Sequence, residues 1–193
     1  MYDPRKKHFD AARAADADGV LDLDDLNKIH AALDVAGVPR VDPATAVNRQ
    51  IGRKGLDLIK HFEGCKLTTY RDVAGIPTIG WGHTGPDVKM GQAITQAQAD
   101  ALLDKDLDRF EANVAKLAKV ATPDQYDAMV SFDYNTGSLN TSTLLSKHNK
   151  GDYEGAAREF RRWNKATVKG RKVVVNGLTR RRAAEEKLYR GQA

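Results

Sequence analysis

Two carboxyl groups and a hydroxyl group lie close together in one stretch of this chain of 193 residues. Glu63 is followed by Asp72 and then by Thr78. Cleavage of a glycosidic bond needs one carboxyl group as the acid and a second group across the sugar that handles water or forms a bond. These residue types therefore suit hydrolysis of a glycoside, although a glutamate and an aspartate on a surface are also common without any catalytic role.

A helix is predicted to end beside Glu63. Leu56, Ile59 and Phe62 recur at helical spacing and form one apolar face. Gly64 suits the C-cap of that helix. Glu63 would then lie on the last turn with apolar groups on one side, a setting that favours the protonated carboxyl group a general acid needs.

A β-hairpin is predicted to follow the helix. Residues 66–70 form the first strand, residues 72–75 the turn and residues 77–79 the return strand. Such a hairpin would fold the second carboxyl group and the hydroxyl group back towards Glu63.

The same stretch resembles the signature of a known family. EGxxLxxYxDxxGxxTIGxGHT is typical of the phage-type lysozymes, glycoside hydrolase family 24. The signature stands here, without gaps, as Glu63-Gly64, Leu67, Tyr70, Asp72, Gly75, Thr78-Ile79-Gly80 and Gly82-His83-Thr84. The resemblance implies a muramidase with Glu63, Asp72 and Thr78 as its catalytic residues.

The implied reaction is hydrolysis of the β-1,4 bond between N-acetylmuramic acid and N-acetylglucosamine in bacterial peptidoglycan, with no cofactor. Glu63 would protonate the leaving oxygen, and Asp72 with Thr78 would position and activate a water on the opposite face. A hydroxyl beside a carboxylate suits holding water better than nucleophilic attack, so inversion is expected, with carboxyl groups roughly 6.5–9.5 Å apart.

Two other functions compete with this interpretation. A lytic transglycosylase cuts the same bond without water and usually relies on a single glutamate, so the Asp72–Thr78 pair speaks against it. A non-catalytic peptidoglycan-binding protein would have no reason to keep the acid, the water-holding pair and the glycine-rich strand together.

Further candidate substrate contacts are carried over from the resemblance. Tyr134 and Asn135 close a predicted helix, where an aromatic ring can stack on a pyranose and an amide can pair with an N-acetyl group. His83, Thr84 and Ser142 complete the set. His83 is also expected to brace the loop of the catalytic threonine rather than to bind zinc.

The remaining sequence predicts a helical lobe. Thr95 and Gln98 form a capping box for a long helix that reaches about residue 119, and Thr122-Pro123 begin the next helix. The predicted fold is α+β, a mostly helical lysozyme-like fold with a small antiparallel β lobe over residues 66–84. A short helical hairpin is expected before it, and a cleft is expected between the two lobes.

The C-terminal region is predicted to contain a basic loop and a last helix. Residues 169–178 form the loop, which has a turn at Asn176-Gly177 and could be a small hairpin, and Thr179 is the N-cap of the helix. Three arginines, residues 180–182, either bind wall or outer-membrane phosphate or belong to a solvated or salt-bridged face.

Residues 1–47 are predicted to form a helical appendage before a catalytic domain over residues 48–193. Its segment ADADGVLDLDDL loosely resembles an EF-hand calcium loop, with candidate ligands at Asp16, Asp18, Asp22 and Asp25. Ala14 stands where the first aspartate is expected, and Asp25 replaces the bidentate glutamate. The alternative is a helical hairpin that uses aspartates in its turn and packs on the catalytic domain or on wall material.

Charge is distributed unevenly along the chain. Residues 1–45 carry six Lys/Arg and nine Asp/Glu, a net charge of −3, whereas residues 46–193 carry 25 and 17, a net charge of +8. A basic region suits a polyanionic partner such as a bacterial wall polymer. No nucleic-acid motif is recognisable, so nucleic acid is not an expected partner.

The sequence shows no apolar run of membrane-spanning length and no secretory signal. We therefore expect synthesis in the host cytoplasm, no stable membrane anchor, and action on the wall in the periplasm after release by a separate route such as a holin. A monomer is expected. The single cysteine, Cys65, excludes an internal disulfide.

Overall fold

The computed structural model describes residues 49–72, 74–119, 121–168 and 170–193. The whole predicted appendage lies outside these residues, together with the calcium candidates Asp16, Asp18, Asp22 and Asp25. The appendage and the domain boundary at residue 48 therefore stay predictions.

The β lobe begins directly after the first described helix, as predicted. Helix α1 spans Arg53–Glu63, and strands β1, β2 and β3 span Lys66–Arg71, Pro77–Gly80 and His83–Thr84. The three strands form an antiparallel sheet in the order β1-β2-β3. Gly64 caps α1 with a φ of 68°, a conformation that glycine adopts without steric cost. This turn sends the chain from Glu63 straight into the sheet.

Within the described ranges, five α-helices build the other lobe. They are α2 (Gln96–Leu117), α3 (Pro123–Thr136), α4 (Thr143–Asn149), α5 (Tyr153–Glu159) and α6 (Asn176–Tyr189). The capping boxes predicted at Thr95 and Thr122 are both present, because each threonine accepts from a backbone N–H three residues on. Buried side chains such as Leu107, Phe132 and Leu188 join α2, α3 and α6 in one core.

The mostly helical α+β class with a small antiparallel β lobe is confirmed. No helix within the described ranges is long and apolar enough to cross a membrane.

The C-terminal hairpin lies earlier in the chain than predicted. Strands β4 (Lys165–Val168) and β5 (Arg171–Val174) pair in register, and Gly170 with a φ of 77° supplies the turn. Asn176-Gly177 instead begin α6, and Thr179 lies inside that helix, where its hydroxyl donates to the Val175 carbonyl at 3.2 Å. The prediction of a turn at Asn176-Gly177 and of a cap at Thr179 was therefore wrong.

Candidate active site

A cleft of about 290 Å³ contains the carboxyl group of Glu63. Its walls also include Gly82, Thr84, Asp106, Tyr134 and Asn135. The structure thus brings together four residues predicted from the sequence, which come from the end of α1, from β3 and from the end of α3. Asp106 and Arg109 of α2 line the cleft too, although neither was predicted from the sequence.

Glu63 forms an ion pair that its local sequence did not indicate. Arg181 of α6 donates from Nη1 to Glu63 Oε1 at 2.5 Å, and the Glu63 side chain is 23% exposed. The predicted setting of Glu63, apolar on one side and open on the other, is therefore corrected, since a guanidinium also contacts the carboxyl group. The local sequence did not indicate this contact because Arg181 lies 118 residues further along the chain.

Arg181 is itself held by buried groups. Its Nε donates to Glu185 Oε1 at 3.2 Å, and its Nη2 donates to the Ser131 carbonyl at 3.4 Å. Arg182 lies next to it and pairs with the same buried Glu185 at 2.8 Å. Burial raises the pKa of Glu185, and the charges of Arg182 and Arg181 act against that shift. Arg181 and Arg182 therefore belong to a buried salt-bridged face. For these two arginines the structure agrees with the predicted salt-bridged face rather than with phosphate binding.

The hairpin turn fixes Asp72 and Thr78 through a shared residue. Asp72 Oδ1 accepts from the backbone N–H groups of Ala74 and Ile76, both at 2.8 Å. The Thr78 hydroxyl donates to the Ile76 carbonyl at 3.0 Å. No hydrogen bond reaches Asp72 Oδ2 from the described part of the chain. One carboxylate oxygen is therefore anchored and the other stays available.

Tyr70 lies opposite Thr78 in the register of β1 and β2. Burial raises the pKa of Tyr70, and the charges of Asp72 and Glu63 raise it further. Tyr70 is part of the family signature, but the sequence alone predicted no role for it in the site.

Tyr134 closes one wall of the cleft. Its hydroxyl donates to the Trp81 carbonyl at 3.1 Å, and its ring packs edge-on against Phe110 at 5.2 Å. Burial raises the pKa of Tyr134, with further contributions from the charges of Glu63 and Asp106. The phenol therefore stays neutral and donates its hydrogen bond.

Gly82 lies beside the Glu63 carboxyl group in the wall of the cleft. A Cβ at this position would lie 3.8 Å from Glu63 Oε2 and 3.9 Å from the Tyr134 hydroxyl. Its φ of 102° is also one that other residues rarely adopt. Glu63 Oε2 thus faces a wall without a side chain, while Oε1 is occupied by Arg181.

His83 and Ser142, like Asp72 and Thr78, are not among the residues that line this cleft. Both ring nitrogens of the buried His83 contact carboxylates, Nδ1 with Asp106 at 2.8 Å and Nε2 with Asp87 at 3.1 Å. Ser142 caps α4 and its hydroxyl donates to the Leu139 carbonyl at 2.7 Å. The geometry supports a bracing role for His83 and a helix cap at Ser142, rather than the substrate contacts expected of them.

Asn135 and Thr84 do line the cleft, but only Asn135 is held by a hydrogen bond from a described side chain. Asn135 Oδ1 accepts from Arg182 Nη2 at 2.9 Å, which turns its amide NH₂ group away from that arginine. Thr84 lies on β3 and is exposed. Because both line the cleft, both remain candidates for substrate contacts.

Known proteins resemble this chain over most of the described residues. The sequence profile of the phage lysozyme family matches residues 60–185. The endolysin of Acyrthosiphon pisum secondary endosymbiont phage 1 is 45% identical over 142 residues, which are 72% of this chain and 97% of that protein.

Two solved structures share the fold. The endolysin from Escherichia coli O157:H7 phage FAHEc1 is 47% identical with a TM-score of 0.70, and the match covers 74% of this chain and 94% of that one. The muramidase domain of SpmX from Asticaccaulis excentricus is 35% identical with a TM-score of 0.69, over 74% and 98% of the two chains. With a family profile that matches well over half of its length and a relative of this identity, the chain belongs to the phage lysozyme family.

Proposed function

We propose that this protein is an endolysin that hydrolyses the β-1,4 bond between N-acetylmuramic acid and N-acetylglucosamine in bacterial peptidoglycan. The observation that carries the proposal is Glu63, which lines the cleft with Oε1 held by Arg181 and Oε2 beside Gly82. Membership of the phage lysozyme family and likeness to a muramidase domain support the same substrate class.

Glu63 acts as the general acid in this proposal. Its Oε2 carries the proton to the leaving oxygen, because Arg181 occupies Oε1. Since Arg181 also contacts Glu185 and the Ser131 carbonyl, it fixes the carboxyl plane from a rigid position. A fixed orientation matters because proton transfer needs the donor within hydrogen-bond reach of the leaving atom.

Asp72 and Thr78 hold the attacking water. The water donates one hydrogen to Asp72 Oδ2, which no described residue occupies, and the other to a lone pair of the Thr78 hydroxyl. The hydroxyl hydrogen of Thr78 already points to the Ile76 carbonyl, so its oxygen is oriented as an acceptor. A lone pair of the water then attacks the anomeric carbon from the face opposite Glu63 while the glycosidic bond breaks and Asp72 takes up one proton of the water. The sugar keeps the remaining hydroxyl group with inverted configuration.

The cleft walls supply the substrate contacts. Tyr134 presents an aromatic ring for a pyranose face, and Asn135 and Thr84 present hydrogen-bonding groups. The chemistry uses no cofactor. The protein acts on the cell wall as a monomer after release from the cytoplasm by a separate route such as a holin.

The experiment is mass spectrometry of fragments released from purified peptidoglycan. Muropeptides with a free reducing muramic acid are expected, and fragments lighter by one water would instead identify a transglycosylase. Proton NMR of the first product should show the α-anomer, because inversion at a β-linkage produces it. Initial formation of the β-anomer would overturn the inverting mechanism.

The matched variants are Glu63→Gln and Glu154→Gln. Glu63→Gln should fold and lose nearly all fragment release, on the order of 10²-fold or more, because an amide cannot donate the proton. Glu154 is an exposed glutamate that pairs with Arg158 and Arg190 on the surface. Its variant should release fragments at the original rate, and full activity of Glu63→Gln would remove Glu63 from the mechanism.

A further inference from the structure

The β4–β5 hairpin exposes apolar side chains that have no role in the cleft. Its strands, Lys165–Val168 and Arg171–Val174, pair only with each other in the described part of the chain. Val168, Val173 and Val174 are 50%, 41% and 56% exposed. A two-stranded hairpin is marginal in water on its own, so exposed β-branched side chains on both strands indicate a surface that another body covers.

The same hairpin carries unpaired positive charge. Lys165, Arg171 and Lys172 are exposed, and none of them forms an ion pair with a described residue. The sequence around it, residues 160–184, contains nine Lys/Arg and no Asp/Glu. The partner that fits this charge is therefore a surface or polymer with a high density of negative charge.

The register places cations and valines side by side. Val168 lies opposite Arg171, and Val173 lies two residues further along the same face. The opposite face combines Val174 with Lys172 in the same way. Each face thus offers apolar groups that can enter a nonpolar layer and cations that can pair with phosphate at its boundary.

We propose that the β4–β5 hairpin docks on a phospholipid bilayer rich in anionic headgroups. Valines beside lysine and arginine suit the boundary between headgroups and acyl chains, where basic residues meet phosphate and apolar ones are removed from water. A glycan strand would favour aromatic rings and hydrogen-bonding side chains instead, and the hairpin offers few of these. The docking is peripheral, and it does not depend on the hydrolysis of peptidoglycan.

The test is sedimentation of the full chain with vesicles of equal parts phosphatidylglycerol and phosphatidylcholine, and with vesicles of phosphatidylcholine alone. Binding is expected only to the anionic vesicles. The variant Lys165→Gln/Arg171→Gln/Lys172→Gln should weaken it about 100-fold, since each basic residue near an anionic surface changes the affinity about fivefold.

The control removes the same charge elsewhere, as Lys89→Gln/Lys116→Gln/Lys150→Gln, at three exposed lysines without a partner among the described residues. It should change the vesicle affinity by less than about threefold. An equal loss in the two triple variants would show general charge attraction and overturn the proposal, and unchanged binding of the hairpin variant would overturn it too.

Two further measurements separate the membrane from the wall. Val168→Ser/Val173→Ser keeps every charge and should still weaken vesicle binding several-fold, whereas unchanged binding would refute insertion of the valines. The hairpin variants should release muropeptides from purified peptidoglycan at the original rate. If they instead lost binding to purified peptidoglycan and kept binding to vesicles, the partner would be the wall and the proposal would be wrong.

Discussion

Replacement of Arg181 by methionine tests whether a buried guanidinium orients Glu63, the proposed acid. The change removes hydrogen bonds to Glu63, to Glu185 and to the Ser131 carbonyl while it keeps most of the side-chain volume. Breaking a buried ion pair by removing one partner costs roughly 3–5 kcal/mol. Because Glu63 is 23% exposed and can bind water, and Glu185 keeps Arg182, we expect the low end, about 3 kcal/mol.

The effect on activity should be similar in size to the effect on folding. Without Arg181 the Glu63 carboxyl group can rotate, and a misplacement of about 1 Å costs on the order of 10²-fold in rate. Arg181→Lys keeps the charge but not the planar fork, so we expect it to recover part of the stability and little of the rate.

The assay combines urea unfolding with initial rates of muropeptide release, both measured where the variants are fully folded. The control is Arg180→Met, because Arg180 is the adjacent exposed arginine and pairs with no described residue. The unfolding free energy of Arg180→Met should stay within about 0.5 kcal/mol of the original, and its rate of muropeptide release should be unchanged. Equal unfolding free energies for the two methionine variants, or a full rate for folded Arg181→Met, would refute the reasoning.

Three other predictions concern the water site, the histidine brace and the buried pair. Thr78→Val keeps the shape of the side chain but removes the acceptor, so fragment release should fall at least tenfold with less than about 1.5 kcal/mol lost in urea unfolding. Burial alone would lower the pKa of His83, but hydrogen bonds to Asp106 and Asp87 outweigh it and raise the pKa. The stabilisation of the fold by protonated His83 is therefore complete below about pH 6.5 and is lost as the pH rises through the folded-state pKa of His83. His83→Gln should therefore flatten the pH dependence of the unfolding free energy, measured by urea unfolding. Arg182→Met/Glu185→Leu should leave the unfolding free energy within about 2 kcal/mol of the original but lower the rate of muropeptide release.

Local signals in the sequence were sufficient for the elements that carry the site. The capping boxes at Thr95 and Thr122 and the glycine after Glu63 act within a few residues, so the pattern alone located these helix ends. The catalytic roles of Asp72 and Thr78 came from the family resemblance and stay a prediction. The structure adds to that prediction the turn in which Ile76 ties the two residues together.

Signals that depend on distant partners were missed. The apolar spacing around Ile59 predicted the helix correctly, but no local pattern reveals that Arg181 meets Glu63. The C-terminal region contains two sequences that can form a turn, one at Gly170 and one at Asn176-Gly177. The Asn176-Gly177 pair is a strong hairpin signal, yet the turn forms at Gly170, and Asn176 joins the helix that carries Arg181.

The buried ion pair between Arg182 and Glu185 positions Glu63 through Arg181 more than it stabilises the fold. Arg182 and Glu185 are both fully buried, and Arg182 Nη1 has no hydrogen-bond partner among the described residues. An incompletely satisfied buried ion pair repays little of the cost of removing two charges from water. What the pair does supply is a fixed carboxylate against which Arg181 rests, and Arg181 in turn fixes one oxygen of Glu63. The orientation of the Glu63 carboxyl group therefore depends on α6, although Glu63 itself lies at the end of α1.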